Sequence, residues 1–394
     1  MTRGPLLVGL VALAIALRLA APAVLGDALL DAAARRPSLI ELPVVGDLIV
    51  ERLGSRITTA AGTDATPVKI TVPDGAGTAA IGTQLVEAGL LSDRMAFIVA
   101  VHRAGLEGRL QSGQFLVAAA MTPTELAEAL TTPYHEPTIA VDLRPALRLE
   151  QIVAKISTID LPFKASDVLQ VLQHPPAAVL ADYPWLDLPA GASLEGRLGS
   201  GVYNVPVSTD ATGFVRLLLD RFAEQVPADL RGPAPDGRSF ADVLTLASIV
   251  EREASLDSER ARIAGVFAYR MKQGMGLGSD VTLLYMLDGA RLRSVPVAKW
   301  RDVAFWTIPS GLYARAADAS IPRDLRAWNT RAVRGLPPGP ICTPSAASIL
   351  AARLPDSSRK ELYFIAIPGG GGTVDYSTTL AEHLRKARAY GFYP

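Results

Sequence analysis

Two glutamates at the end of an apolar segment are the residues of this chain best placed to do chemistry. In LASIVEREASLDSER, residues 246–260, Glu251 follows the apolar run directly and Glu253 comes two positions later. On a helix Glu251 lies one turn beyond Ala247. Glu253 lies one turn beyond Ile249 in the same way. Burial favours the protonated form of a carboxyl, which can then deliver a proton to a poor leaving group such as a glycosidic oxygen. The periodicity does not choose between the two glutamates, and either could equally be a solvated residue at the helix margin.

Other chemical signatures are missing from the sequence. It contains no G-x-S-x-G, G-x-x-x-x-G-K-[ST] or H-E-x-x-H segment. The single Cys342 excludes an intrachain disulfide and fits a small buried side chain. The histidines are too scattered for metal-ligand spacing: His102, His135, His174 and His383. The sequence therefore predicts neither a metal nor another cofactor.

The composition indicates a folded protein of two or three domains. The chain has 394 residues, of which 49% are hydrophobic and 20% charged. Thirty-nine basic and thirty-nine acidic residues give a formal net charge of zero. Because no global basic field is available to hold phosphate backbones, nucleic acid is not an expected partner.

The first thirty residues predict targeting to a membrane. Arg3 precedes an apolar stretch over residues 5–17, and a second apolar piece follows Arg18 and ends at Leu25. The segment matches a signal peptide, or a transmembrane anchor if Arg18 reaches an interface. Either form exports the rest of the chain. We expect a single-pass protein of the cell membrane, with its N-terminus inside and the remaining chain on the extracytoplasmic side.

Three regions follow the predicted anchor of residues 1–30. Residues 31–66 alternate short apolar pieces with charges and predict a stalk and linker. Residues 67–133 predict a β-α-α-β unit with an extra helix that begins at Pro123. Residues 134–394 predict a larger domain with a strand near 138–143, helices near 149–157, 212–225, 239–255 and 259–273, a strand at 362–367 and a closing helix. Because strands and helices do not alternate regularly, the predicted fold class is α+β.

Several segments resemble one enzyme family. LASIVEREASLDSERARIAGVFAYRMKQGMGLGSDVTLLY, then AWNTRAVRGLPPGPI and a C-terminal EH, are similar in order and spacing to the MltG-type (YceG-like) endolytic murein transglycosylases. The resemblance covers about residues 67–390. It implies that Glu251 is the catalytic acid, that residues 67–133 are a LysM-like module and that a membrane anchor precedes it. It also implies peptidoglycan strands as substrate, the cytoplasmic membrane as attachment and cell-wall synthesis proteins as further partners.

The resemblance also implies a set of substrate-binding residues, and it has gaps. Matching family positions suggest that sugar-positioning roles fall to Glu195, Tyr203, Asp280, Asn329 and Thr330. In LEGRLGSGVY the family's F-P-D-T is replaced by residues 199–202, which removes an aromatic side chain and a carboxylate. In LGSDVT, Gly278 replaces a glutamine and Val281 a proline. Trp328 replaces a tyrosine, Val374 a histidine and Leu384 an asparagine.

The implied reaction is non-hydrolytic cleavage of the β-1,4 bond between N-acetylmuramic acid and N-acetylglucosamine, which leaves a 1,6-anhydro end. One carboxylate can serve both proton transfers because the nucleophile belongs to the substrate, whereas hydrolysis generally needs a second carboxylate. Carboxylates that could fill that second role are Glu195, Glu253, Glu259 and Asp280. The altered segments leave two alternatives, a degenerate member that binds glycan or division partners without cutting, and a tethered solute-binding protein.

Overall fold

The structure is a computed structural model that describes residues 26–392. Most of the predicted anchor, residues 1–25, lies outside the described residues. Between residues 26 and 392 no helix combines the length and apolar character that crossing a bilayer requires. The chain forms two compact units, one ending at Glu136 and the other beginning at Pro137.

The first unit is a small α+β unit preceded by two further helices. Its regular elements are α1 Gly26–Arg35, α2 Pro43–Leu53, β1 Val68–Val72, α3 Thr78–Glu87, α4 Arg94–Arg103, β2 Gly113–Val117 and α5 Pro123–Ala129. Strands β1 and β2 pair antiparallel, with Ile70 opposite Phe115. Thr122 caps α5 through a reciprocal bond with Glu125. The predicted β-α-α-β order with its extra helix is therefore confirmed, and the LysM-like identity stays a prediction.

The structure differs from the predicted stalk over residues 31–66. Residues up to Ile57 are helical, and Ile49 and Leu53 of α2 bury their side chains against Met95 and Ile98 of α4. Helix α4 is buried at every position from Met95 to Val101, because one of its sides packs against β1 and β2 and the other packs against the preceding helices. The first helices supply that cover, so the apolar pieces between the charges are core residues.

The second unit carries the chemistry-bearing segments. Its regular elements are β3 Thr138–Leu143, α6 Leu149–Ile156, α7 Ala165–Gln173, α8 Ala177–Asp182, β4 Gly201–Pro206, α9 Ala211–Gln225, α10 Phe240–Glu253, α11 Asp257–Lys272, α12 Asp280–Leu292, α13 Leu312–Ala316, α14 Ala346–Arg353, β5 Tyr363–Ala366, β6 Val374–Ser377 and α15 Leu380–Ala389. Strands β3 and β4 pair antiparallel, as do β5 and β6. The described sheets are all antiparallel pairs, which confirms the predicted α+β class.

Two large cores build this unit. One packs α6, α7 and α9 against β3 and β4. The other surrounds α10 with α11, α14 and part of β6. Ser239 begins α10 with a capping box, in which its hydroxyl accepts from the backbone of Asp242 and the Asp242 carboxylate accepts in return. From Val243 to Val250 every residue of α10 is buried, and the helix ends at Glu253.

Helix α11 comes so close to the segment after α14 that one position must be glycine. A Cβ atom at Gly265 would lie 1.9 Å from the carbonyl oxygen of Asp356 and 2.3 Å from its carbonyl carbon. Both are backbone atoms, so no side-chain rotation relieves the overlap. The backbone after α14 is further fixed by a hydrogen bond from the Asp356 amide to the Ala261 carbonyl.

We expect Gly265→Ala to lower the free energy of unfolding by about 1–3 kcal/mol, the usual cost of forcing extra atoms into a packed core. Urea unfolding followed by tryptophan fluorescence measures this change in the second unit, because all four tryptophans (Trp185, Trp300, Trp306 and Trp328) lie there. Gly232→Ala is the matched control, since a Cβ atom there meets nothing within 4 Å. Equal midpoints for the two variants would contradict the close approach.

Candidate active site

Glu251 and Glu253 leave the end of α10 in different directions. Successive residues of an α-helix are rotated by about 100°, so side chains two positions apart point to nearly opposite sides. The two carboxylates that helical periodicity does not separate therefore enter different surroundings.

Glu251 holds three helices together. Its Oε2 accepts from the Ser345 amide at 3.0 Å, from the Ser345 hydroxyl at 2.6 Å and from an Arg260 guanidinium nitrogen at 3.0 Å. Ser345 caps the start of α14 and Arg260 belongs to α11. The side chains of Glu251 and Arg260 are only 8% and 11% exposed. All three contacts reach the same oxygen, and the other carboxylate oxygen of Glu251 makes no hydrogen bond within the described residues.

Glu253 instead lines a polar cavity of about 340 Å³. Ser279, at the start of α12, donates its hydroxyl to Oε1 of Glu253 at 2.6 Å. The cavity is lined further by Phe267, Arg270, Leu277, Gly278, Asp280, Arg331, Tyr363, Phe364, Leu380, His383 and Leu384. Charged, aromatic and apolar groups thus meet around one carboxyl.

The pKa of Glu253 is raised above its ordinary value. Burial is the main cause, because it disfavours the charged form, and the nearby Asp280 carboxylate acts in the same direction. The Ser279 hydrogen bond, Arg270 and Arg331 oppose the shift by favouring the charged form. A raised pKa keeps the carboxyl protonated closer to neutral pH, as a general acid requires.

A buried hydroxyl network holds Ser279 in place. The Ser279 amide donates to the Thr330 hydroxyl at 3.1 Å, and the Thr282 hydroxyl donates to the Ser279 carbonyl at 2.8 Å. Thr282 and Thr330 are also hydrogen-bonded to each other at 2.9 Å. Ser279 is the residue before α12, yet its hydroxyl does not cap that helix. Its hydroxyl donates to Glu253 and accepts no bond from the first turn of α12, so α12 lacks a serine cap, which is typically worth about 1 kcal/mol.

Asp280 and Arg331 form the more open side of the cavity. Arg331 Nε donates to Asp280 Oδ1 at 2.8 Å, and the Tyr313 hydroxyl donates to Asp280 Oδ2 at 3.1 Å. The side chains of Asp280 and Arg331 are 40% and 44% exposed. A hydroxyl-rich ligand would find both an acceptor and a donor here.

His383 and Tyr363 form another part of the cavity wall. Their rings stack with centroids 5.2 Å apart. Burial lowers the pKa of His383, and the positive charges of Arg270 and Lys386 lower it further. Both effects favour the neutral imidazole, and its buried Nδ1 has no hydrogen-bond partner among the described residues.

Three of the predicted substrate-binding residues lie at or behind this cavity. Asp280 lines it directly. Thr330 is fully buried and acts through Ser279. Asn329 shapes the adjoining turn, because its side chain donates to the Ala316 carbonyl and accepts from the amides of Arg331 and Ala332.

Glu195 and Tyr203 lie elsewhere in the second unit and do not line the cavity. Glu195 is buried and accepts from the amides of Leu149 and Gly196. Burial, with a smaller contribution from Glu150, raises the pKa of Glu195 to about 8 despite the opposing charge of Arg148. Tyr203 is buried on β4 and donates its hydroxyl to the Gly199 carbonyl at 2.7 Å. Their contacts are those of core residues.

Sequence reasoning missed Ser279, Arg331 and His383 as site residues. Ser279 follows a glycine at a helix start, where a serine normally indicates a cap. His383 belongs to the EH pair at the C-terminus, which is the one signal that could have singled it out. Among residues 26–392 no group of histidine, cysteine, aspartate or glutamate side chains could hold a metal ion.

Comparisons with known proteins place this geometry in context. A model of the YceG-like family matches residues 70–389. An endolytic murein transglycosylase of Streptococcus pneumoniae (strain D39) is 26% identical over 343 residues, and the match covers 80% of this chain but 58% of the relative. One of Bacillus subtilis (strain 168) is 26% identical over 337 residues, covering 82% of this chain and 85% of the relative. A crystal structure of a yceG-like protein from Listeria monocytogenes is 24% identical and has a TM-score of 0.49, covering 81% of this chain and 98% of that one. At that TM-score the likeness carries no conclusion.

We expect conservative variants of the two glutamates to change stability in opposite directions. Glu251→Gln weakens the charge-assisted bonds to Arg260 and Ser345, so it lowers the free energy of unfolding by about 1–3 kcal/mol at neutral pH. Glu253→Gln removes a group whose raised pKa makes ionisation unfavourable in the folded chain. In the wild type, protonated Glu253 stabilises the folded chain, and this contribution falls as the pH rises above 4.5, the ordinary pKa of a glutamate. The glutamine variant has no such loss.

Melting temperatures of wild type and both variants, measured at pH 4 and pH 7.5, test this expectation. The melting temperature of Glu253→Gln relative to wild type should be higher at pH 7.5 than at pH 4. Destabilisation of the Glu253 variant that is the same at both pH values would contradict the assignment.

Proposed function

Because the chain belongs to the YceG-like family, we propose that it is a peptidoglycan lytic transglycosylase with Glu253 as its catalytic acid. The proposed reaction cleaves the β-1,4 bond between N-acetylmuramic acid and N-acetylglucosamine and leaves a 1,6-anhydro end. The names of the pneumococcal and Bacillus relatives support the reaction class. The observation that carries the choice of residue is a carboxyl with a raised pKa that opens on a polar cavity.

The first step is proton donation. Ser279 occupies Oε1 of Glu253, so the proton to be donated sits on Oε2. Glu253 gives this proton to the glycosidic oxygen as the bond to C1 of the muramoyl residue breaks, and positive charge builds up on that sugar. The leaving N-acetylglucosamine end departs as a neutral alcohol.

In the second step Glu253 acts as a base. Its carboxylate takes the proton from the muramoyl C6 hydroxyl while that oxygen attacks C1. One proton is given and one is recovered, so the enzyme returns to its starting state without a water molecule. The Ser279 bond favours the carboxylate formed midway, whereas burial favours the acid that begins and ends the cycle.

The surrounding residues favour attack from within the substrate. Asp280 is the other carboxylate of the cavity, and both of its oxygens accept hydrogen bonds, from Arg331 and Tyr313. A carboxylate held in this way is a poor nucleophile and a poor base for water. We assign Asp280 and Arg331 to sugar hydroxyls, and Tyr363 and His383 to the flat face of a sugar ring.

Glu251 stays the competing candidate, because the family resemblance places the catalytic acid there. Two hydrogen bonds from Ser345 tie its carboxylate to the start of α14, and an ion pair with Arg260 ties it to α11. These contacts support a structural role. The proposed location follows the sequence expectation of a membrane-tethered chain that acts on extracytoplasmic glycan strands.

We expect Glu253→Gln to reduce formation of anhydro-muropeptide ends by about 100-fold or more, because general acid–base catalysis contributes roughly that amount. Purified full chain is incubated with murein sacculi, and the ends are quantified by mass spectrometry. Glu251→Gln is the matched control and should retain activity in proportion to the fraction that stays folded.

The outcomes separate the alternatives. Loss of activity in a folded Glu251→Gln protein, with activity kept in Glu253→Gln, would assign the acid to Glu251. If the wild type forms no anhydro ends but still binds sacculi, the result would favour a degenerate family member that binds glycan without cleaving it. Reducing ends in place of anhydro ends would indicate hydrolysis.

We expect Asp280→Asn to shift the alkaline limb of the rate profile to lower pH. The Asp280 charge raises the pKa of Glu253, so its removal lowers that pKa and depletes the protonated acid at a lower pH. The measurement is kcat/KM for a soluble glycan strand across pH 5–9. Asp324→Asn removes another arginine-paired surface carboxylate outside the cavity and should leave the limb in place. A limb that stays fixed in Asp280→Asn would contradict Glu253 as the titrating acid.

A further inference from the structure

The second unit contains a larger cavity that the proposed reaction does not use. Its volume is about 610 Å³. Four cationic side chains line it, from Arg144, Lys155, Arg252 and Arg301. The lining contains one carboxylate, that of Asp142. Trp300, Val303 and Phe305 add apolar surface. The lining therefore carries a net charge of plus three.

These positive charges are not neutralised inside the protein. Within residues 26–392 none of the four cations takes part in an ion pair or donates a side-chain hydrogen bond, in contrast to Arg148, Arg260 and Arg262, which are each paired with a carboxylate. Like charges gathered in a concave site repel one another and raise the local concentration of anions. An anion that entered would relieve this repulsion.

Arg252 has a fixed position and an unused hydrogen-bond donor. Its guanidinium lies over the Trp306 ring, 4.3 Å from the centroid, and its Nε is buried without a partner among the described residues. Trp306 is itself fixed, because its indole donates to Gln151 and its amide to Asp288. A fixed arginine fork with a vacant donor is well suited to a planar carboxylate or a phosphate group.

Backbone strain is concentrated at the same place. Four described residues other than glycine have positive φ. Two of them belong to this region: Ala146 lines the cavity at φ 59°, and Trp306 supports Arg252 at φ 61°. Each such conformation costs on the order of 1–3 kcal/mol, and residues of this kind cluster at ligand sites.

We propose that this cavity binds an anionic part of the glycan substrate, namely the carboxylates of the peptide stem on muramic acid. The inference rests on the proposed function, because it takes peptidoglycan as the ligand. Arg252 lies between Glu251 and Glu253 in the chain, so the cationic cavity and the Glu253 cavity flank the same helix end. A stem held on one side would position its strand while the acid acts on the other side.

The test is a binding measurement that does not depend on turnover. Purified full chain is titrated calorimetrically with a disaccharide tetrapeptide and with the same disaccharide after amidase removal of the peptide. We expect the peptide-bearing ligand to bind more tightly, with an advantage that declines as salt rises.

Variants then assign the preference to this cavity. Lys155→Gln/Arg301→Gln should weaken binding of the peptide-bearing ligand about fivefold to tenfold and leave the peptide-free ligand unchanged. Asp142→Asn should strengthen it, because the opposing charge is removed. Arg359→Gln, an exposed arginine outside the cavity, is the matched control.

A competition experiment distinguishes a phosphate ligand from the carboxylates of the peptide stem. Inorganic pyrophosphate should compete weakly with the peptide-bearing ligand. The contrary result is that pyrophosphate binds more tightly than the peptide-bearing ligand and that Lys155→Gln/Arg301→Gln abolishes only the binding of pyrophosphate. That result would identify a diphosphate site and would contradict the stem proposal. If the double variant binds every ligand as the wild type does, the cavity is not an anion site.

Failure of this inference is distinguishable from failure of the proposed function. Anhydro-end formation from peptide-free strands should be equal in wild type and Lys155→Gln/Arg301→Gln. A wild type that makes no anhydro ends but binds the peptide-bearing ligand through these cations would reject the reaction and keep the anion site.

Discussion

The end of helix α10 is the constraint on which the rest of the candidate site depends. The helix is buried from Val243 to Val250 and then finishes in three charged residues, Glu251, Arg252 and Glu253. Charged groups are costly to bury unless each finds compensation, and the rotation of about 100° per residue sends the three side chains in different directions. Glu251 is compensated by Arg260 and Ser345, and Arg252 by the Trp306 ring. Glu253 accepts one hydrogen bond, from Ser279, and has no ion pair within the described residues, although Arg270 and Arg331 lie near it. The least compensated of the two carboxyls is the one that opens on a cavity.

The weak compensation of Glu253 depends on a second helix end. Ser279 would ordinarily cap α12, but its hydroxyl donates to Glu253, and the buried Thr282 and Thr330 hydroxyls hold its backbone in position. The preceding residue, Gly278, adopts φ +66°, and a Cβ atom there would lie 2.8 Å from the Arg270 guanidinium. The glutamine that the family resemblance implies here would be strained in this conformation, whereas glycine leaves room for Arg270 in the cavity wall. The departure alters the cavity wall and does not touch the Glu253–Ser279 hydrogen bond.

The sequence predicts elements well where local periodicity is strong, and residue roles poorly where partners are distant. Helix α10 and the β-α-α-β order follow from apolar spacing and capping residues. Helices α1, α2, α7, α8, α12, α13 and α14 are not predicted. Apolar periodicity does not separate Glu251 from Glu253, and the family resemblance points to Glu251. The contacts that distinguish the two glutamates come from residues distant in the chain, since Ser345 lies 94 residues from Glu251 and Ser279 lies 26 residues from Glu253. Glu195 and Tyr203 were expected at the cleft, yet their partners are backbone amides and a carbonyl inside the core.

Charge shows the same limit of whole-chain reasoning. A formal net charge of zero argues against a global field, and long-range attraction of polyanions is not expected. Over a Debye length of about 8 Å, however, only nearby charges act on a ligand. Four cations and one carboxylate around one cavity make a local positive field, whereas two arginines, Arg270 and Arg331, share the other cavity with the carboxyl groups of Asp280 and Glu253. Two cavities with different charge can therefore flank one helix end of a neutral chain, and the proposed substrate, a glycan strand with anionic side branches, would suit both.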